Sequence, residues 1–227
     1  MKELMRVIKG RSKYPYAFKN SNIYYVPVPK NACSSVKKAL YQYNFGQEHK
    51  IRYLFGQILD SHRYFPSRKF HKIRVDNDSK IFAIVRDPFD RFISCYCNRV
   101  LHHKDLLKSE KKIKDAGLEL NPSINYFVDH LKEYQSFSTS IMHHTLSQVS
   151  FLGSDTSIYW RIFPISEIKS LEQELSLALK NKIKFIHAQQ GGKQHKQQVL
   201  SELSTNTATK IREYYNDDYK ILAEYLR

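Results

Sequence analysis

Apolar positions along the chain keep switching between two rhythms, a short continuous run and a stripe at helical spacing. Ile23-Tyr24-Tyr25-Val26-Pro27-Val28 is dense in β-branched and aromatic residues, which predicts a buried strand with Pro27 near its end. Past a loop, Val36, Ala39, Leu40 and Tyr43 recur at i, i+3, i+4 and i+7, the stripe of a half-buried helix. The succession then repeats. Lys80-Ile81-Phe82-Ala83-Ile84-Val85 has the near-continuous apolar character of a central parallel strand and is closed by Arg86. Asp87 suits an N-cap, Pro88 the first helical position, and Phe89, Phe92, Ile93, Tyr96 and Val100 a core face. A third helix is expected from Pro122, capped by Asn121, with Ile124, Phe127, Val128 and Leu131 on one side. Ile168, Leu171, Leu175 and Ala178 mark another helix, and Ile211, Tyr214, Tyr215 and Leu222 mark the last. Lys184-Phe185-Ile186 is read as a short strand between them. Strands alternating with helices predict an α/β fold, a central parallel sheet flanked by helices.

Composition narrows this picture. A chain of 227 residues with seven scattered prolines and seven scattered glycines has no evident linker, so one domain over residues 1–227 is expected. No apolar run approaches the roughly 20 residues that span a bilayer, and the first residues lack the apolar core of a secretory signal. Three cysteines, Cys33, Cys95 and Cys97, make no disulfide framework and fit a reducing, cytoplasmic setting. Lys plus Arg number 37 against 22 Asp plus Glu, a net charge of +15, which calls for an anionic partner and leaves room for peripheral contact at a membrane face. The lysines from Lys104 to Lys114 read as an exposed surface helix.

Two segments carry candidate chemistry. Pro29-Lys30-Asn31-Ala32-Cys33-Ser34-Ser35 joins a strand to a helix N-terminus, where backbone N–H groups and the helix dipole favour an anion. Lys30 adds a point charge. Ser34 and Ser35 add hydroxyls that either cap the helix or donate to phosphate oxygens. No glycine lies between Gly10 and Gly46, so this is not the glycine-rich loop of the common nucleoside triphosphatases. The second segment starts at Arg86, at the carboxyl end of a central strand, where open α/β sheets bind ligands. Ser94 falls off the apolar stripe of the helix that follows. Arg91 suits either an anion or a surface pair with Asp87 or Asp90.

The two segments together resemble the paired signature of the sulfotransferase superfamily, in its carbohydrate branch. The first is Val26-Pro27-Val28-Pro29-Lys30-Asn31-Ala32-Cys33-Ser34-Ser35; the second runs Arg86-Asp87-Pro88-Phe89-Asp90-Arg91-Phe92-Ile93-Ser94-Cys95-Tyr96. The resemblance implies that Lys30, Asn31, Ala32, Cys33, Ser34 and Ser35 hold the 5′-phosphosulfate of 3′-phosphoadenosine-5′-phosphosulfate, and that Arg86 and Ser94 bind its 3′-phosphate. It implies a P-loop-like nucleotide-binding architecture and a carbohydrate hydroxyl as acceptor; the basic surplus suits an anionic or lipid-linked glycan, and no metal is expected. The likeness spans residues 24 to 222, including Ile211-Arg212-Glu213-Tyr214-Tyr215 near the end. It thins between Gln135 and Gln148, leaving His143, His144 and Gln148 on the acceptor side.

Lys30 is expected to stabilise charge on the oxygen leaving sulfur. For the base that accepts the hydroxyl proton, His62 is the nominee, followed by His71, Glu48 and His144. The adjacent pairs His102-His103 and His143-His144 do not have metal-ligand spacing. Gln190-Gly191-Gly192-Lys193 either folds over the nucleotide or forms a plain turn. Two other functions compete: a kinase-like phosphotransferase, and a basic nucleic-acid module stacking bases on some of its 16 tyrosines and 13 phenylalanines.

Overall fold

The computed structural model describes residues 14–54, 57–70, 76–186 and 193–226. They fall into two compact units, one made of the described residues within 1–86, 148–189 and 221–227, the other of those within 87–147 and 190–220.

The first unit is built on a four-stranded sheet of β1 (Tyr16–Ala17), β2 (Ile23–Val26), β5 (Lys80–Val85) and β6 (Arg161–Pro164), in the order β1-β2-β5-β6. Strands β3 (Arg52–Leu54) and β4 (Gln57–Leu59) pair separately and antiparallel. In the main sheet, β1 runs antiparallel to β2, and β2, β5 and β6 are parallel, with Tyr25 opposite Phe82 and Phe82 opposite Arg161. The α/β fold with a mostly parallel sheet is thus present. Every residue of β5 after Lys80 is buried, as expected of a strand hydrogen-bonded on both edges and covered on both faces. The Tyr25 and Phe82 rings stack with centroids 5.1 Å apart.

Helix α1 (Cys33–Phe45) packs Val36, Ala39 and Leu40 on this sheet, and the helix Ile168–Ala178 adds Leu171 and Leu175. Gly46 stops α1 in a left-handed conformation (φ 66°), its N–H returning to the Gln42 carbonyl at 2.8 Å. That ending suits a residue with no Cβ. A one-turn helix, α2 (Ser61–Tyr64), begins at Asp60, whose carboxylate accepts from the N–H groups of His62 and Arg63, both at 3.0 Å.

The second unit is helical. Its first helix, α3 (Pro88–Cys95), starts as its sequence predicts, with Asp87 Oδ1 accepting from the Asp90 N–H at 2.9 Å and Pro88 in the first turn. It continues as a π-helical stretch, Tyr96–His102. Phe92, Ile93, Tyr96 and Val100 point into a core shared with Ile124, Phe127, Ile211 and Tyr215. The lysine-rich segment forms a 3-10 turn, Asp105–Ser109, and a helix, Glu110–Asp115. Lys114 pairs there with Glu110 at 2.6 Å.

Two expectations change, and one strand is added. The helix assigned to Pro122 begins at Ile124, and its cap is Ser123, whose Oγ accepts from the Tyr126 N–H at 3.2 Å. Lys184–Ile186 is not a strand; Phe185 enters the core from coil, held by a backbone bond to the Glu172 carboxylate. The fourth strand is instead β6, where a proline is tolerated because the strand lies at an edge.

Asp105 is 1% exposed and gathers Lys108 at 2.5 Å, Ser140 Oγ at 2.6 Å and Arg99 at 3.5 Å. Burial works to raise its carboxyl, but the bonds from Lys108 and Ser140 and the charge of Arg99 outweigh it and hold the group below its ordinary value. A depressed carboxyl contributes stability that is complete above its unfolded value and is lost as pH falls through the folded one. Asp105→Asn is expected to cost about 2 kcal/mol in urea unfolding followed by circular dichroism at neutral pH. That deficit should shrink as the pH is lowered below 4, roughly the unfolded value of an Asp.

Candidate active site

Because β2 and β5 are parallel neighbours, the segment after β2 and the residue after β5 leave the sheet at the same edge. The first is the turn Pro29–Ala32 and the second is Arg86. The turn is unusual: Lys30 (φ 69°) and Ala32 (φ 54°) are both left-handed, and neither is glycine. Such conformations cost on the order of 1 kcal/mol each and persist only where the surroundings impose them.

Asn31, between the two, supplies that constraint. Its side chain is fully buried, and Nδ2 donates to the Ile84 carbonyl at 2.9 Å and to Gln148 Oε1 at 2.6 Å. Gln148, equally buried, accepts from the Arg86 N–H at 3.0 Å through the same Oε1 and donates from Nε2 to the Arg86 carbonyl at 2.8 Å. The partners fix both amide orientations, since a backbone N–H can only donate and a carbonyl can only accept. One glutamine therefore ties the turn to the end of the central strand.

Beyond the turn, no side chain caps α1 at Ala32; the Ser35 N–H turns back to the Ala32 carbonyl at 2.9 Å, and the start of the helix ahead of it suits an outside anion. Cys33 and Ser35 are buried, and Ser34 is half-buried. The Ser34 hydroxyl lies 2.8 Å from His62 Nε2. On the other side of that ring, Nδ1 lies 3.2 Å from Lys37 Nζ, which also donates to Ser67 Oγ at 3.1 Å. Lys37 is 0% exposed. Burial pushes its ammonium below the usual lysine range, against the opposing influence of Cys33 and Asp60.

The structure thus brings Ser34 and His62 together, and joins Asn31 to Arg86 through Gln148. Ser94, half-buried on α3, belongs to the second unit. So does His144, whose Nδ1 lies 2.8 Å from the Ser140 carbonyl. Glu48 is exposed and lines a small separate cavity with Lys38, Gln42, His49 and Lys184. His71 and Gln190-Gly191-Gly192 lie outside the described residues. Arg91 is neither an exposed pair nor a surface ligand: it is fully buried, 5.9 Å over the Tyr215 ring, with Nη2 3.4 Å from the His144 carbonyl. Asp90 pairs with Lys196 at 2.9 Å. Among the described residues no group of three or more His, Cys, Asp or Glu could hold a metal ion, and no helix is long and apolar enough to cross a membrane.

Compared with known proteins, residues 16–225 match the Sulfotransferase family. The chain belongs to that family. Its match takes in the Pro29–Ser35 segment, His62, Arg86 and Ser94 together, and makes the protein an enzyme of sulfuryl transfer. No curated protein and no solved structure matches the chain. Two residues of this sulfotransferase were not assigned a place at its site from sequence: Lys37, and Gln148, which stood only as an acceptor-side residue. Lys37 carried one signal, since Cys33, Lys37 and Tyr41 follow one another at four-residue intervals on a buried face, and a lysine on such a face needs partners.

Replacing Gln148 with Leu leaves the Arg86 N–H and carbonyl and the Asn31 amide without their bonds. We expect a loss of about 2–4 kcal/mol in denaturant unfolding, with faster hydrogen exchange at the Arg86 amide. Gln148→Glu, which keeps the acceptor but loses the donor, should fall between Gln148→Leu and wild type.

Proposed function

We propose that this sulfotransferase moves the sulfuryl group of 3′-phosphoadenosine-5′-phosphosulfate to a hydroxyl of a carbohydrate. The observation that carries the reading is the pairing of the Lys30–Ser35 turn with Arg86 at one sheet edge, fixed by Gln148. A nucleotide with a 5′-phosphosulfate and a 3′-phosphate needs two separate anion sites, and these positions supply one cation each, with first-turn N–H groups beside Lys30. The donor contributes a sulfur activated by an anionic leaving group.

The chain's residues do the rest. Lys30, Asn31, Ala32, Cys33, Ser34 and Ser35 form the phosphosulfate segment, and Lys30 neutralises charge growing on the leaving oxygen. Arg86 and Ser94 take the 3′-phosphate. His62, beside Ser34, takes the acceptor's proton. The surplus of basic residues suits an anionic or lipid-linked glycan, and the three buried cysteines suit a reducing, cytoplasmic compartment.

Calorimetric titration with adenosine 3′,5′-bisphosphate tests the donor. It should bind well above AMP, and Arg86→Ala should weaken it roughly 10- to 100-fold while leaving AMP little changed. Equal binding of the two nucleotides by wild type overturns the reading. With radiolabelled donor, His62→Ala should reduce turnover on a glycan about 100- to 10,000-fold at nearly unaltered bisphosphate affinity. Transfer to simple phenols and not to polysaccharides would reject the carbohydrate acceptor.

A further inference from the structure

A base on His62 must dispose of a positive charge once it has taken the acceptor's proton. Lys37 Nζ lies 3.2 Å from Nδ1, on the opposite side of the ring from Ser34. Two cations at that separation in a buried place repel strongly, so lysine and imidazole hold at most one positive charge between them. An ammonium can only donate, which forces Nδ1 to accept and leaves the ring proton on Nε2, pointing at Ser34. A neutral amine can accept from Nδ1–H, and Nε2 then offers a lone pair. The site can work as a base only in this second arrangement.

We propose that Lys37 is a positioning residue for His62 and the final holder of the proton that the imidazole collects. This rests on the reading of His62 as the base. In the reacting arrangement the amine of Lys37 accepts from Nδ1–H. As the acceptor oxygen bonds to sulfur and the sulfur–oxygen bond to the 5′-phosphate breaks, the hydroxyl proton passes to Nε2, and the Nδ1 proton passes to Lys37 Nζ. The ring ends neutral with its proton moved from one nitrogen to the other, the lysine ends as ammonium, and the leaving phosphate carries off the electron pair.

Three observations support the assignment. Lys37 is wholly buried in α1, and its hydrogen-bond partners are His62 and the hydroxyl of Ser67, so neither bond comes from a carboxylate, and burial outweighs the pull of Cys33 and Asp60 toward the ammonium. Burial lowers the lysine from its ordinary range, in the direction that lets it give up its proton. The His62 backbone is held by the Asp60 cap, so the ring can trade protons without its helix moving. The titratable groups that act on Lys37 are Cys33 on α1 and Asp60, the cap of α2.

The test is a pH titration of the protein, 15N-labelled at histidine, following both ring nitrogens of His62 by long-range 1H–15N spectra without nucleotide. On acidification the two signals should exchange character, from Nδ1–H to Nε2–H, before any imidazolium forms. A single step from neutral ring to imidazolium overturns the proposal, and it does so in wild type even if the variants fail to fold. In Lys37→Met the exchange should vanish and that single step should appear, whereas Ser34→Ala should keep the exchange. If Ser34→Ala abolishes it, Ser34 and not Lys37 sets the ring, and the proposal fails. Lys37→Met should also lower turnover roughly 10- to 100-fold with bisphosphate affinity within about twofold. Failure of the bisphosphate to bind wild type would refute the donor reading, while the exchange of ring signals would still decide the lysine.

Discussion

The candidate site depends on one side-chain carboxamide. Strand β5 runs out of ladder at Val85, because its neighbour β6 ends at Pro164, directly opposite and without an N–H. The next peptide group, that of Arg86, would otherwise bring its N–H and carbonyl into a buried region with no strand to receive them. Gln148 takes the place of that strand: a carboxamide has the same donor and acceptor as a peptide, and it exchanges both bonds with Arg86. Because Oε1 has a second lone pair, it also receives Asn31. The end of the sheet and the turn beside it thus become one hydrogen-bonded piece, and loss of any member leaves buried polar groups unsatisfied.

That piece explains how the turn dispenses with glycine. Loops that wrap an anion in backbone N–H groups usually need residues free to adopt positive φ, and glycine meets the need at the expense of flexibility. Here Lys30 and Ala32 hold the left-handed conformation while carrying side chains. The strain is borne because Asn31, between them, is anchored on Ile84 and Gln148. The result is a rigid turn with a cation built into it, and rigidity is what electrostatic stabilisation of a developing charge requires.

Much of this was legible in the sequence, and the rest was hidden for identifiable reasons. Strands β2 and β5, helix α1 and the Asp87-Pro88 start of α3 follow from patterns within a few residues. The turn and Arg86 could be named because each adjoins such an element. Gln148 could not be assigned, since its meaning lies in Asn31, 117 residues away, and Arg86, 62 away. Arg91 reads as a surface cation beside two aspartates, yet tertiary packing buries it against Tyr215. Strand β6 was missed because a proline ending in a four-residue run reads as a breaker, and only its edge position makes it a strand. Local pattern reports elements; it does not report which distant group completes a polar site.

In the mechanism we propose, a lysine stands behind the base His62, where many hydrolytic sites place a carboxylate, and it suits the charge of the proposed donor. An aspartate orienting His62 would favour imidazolium, but it would also set a fixed negative charge close to the segment we propose for the phosphosulfate. An amine orients the ring with no such charge. In the proposed reacting state it is neutral, and on taking the proton it would become a cation on the same helix as Ser34, just as the proposed donor's phosphate would leave with added negative charge. In that mechanism proton removal and stabilisation of the leaving group reinforce each other, because the charge withdrawn from the acceptor hydroxyl would end beside the segment where the opposite charge forms. Full burial of Lys37 is the condition for this behaviour: an exposed lysine would remain an ammonium and hold His62 in the arrangement that cannot accept a proton.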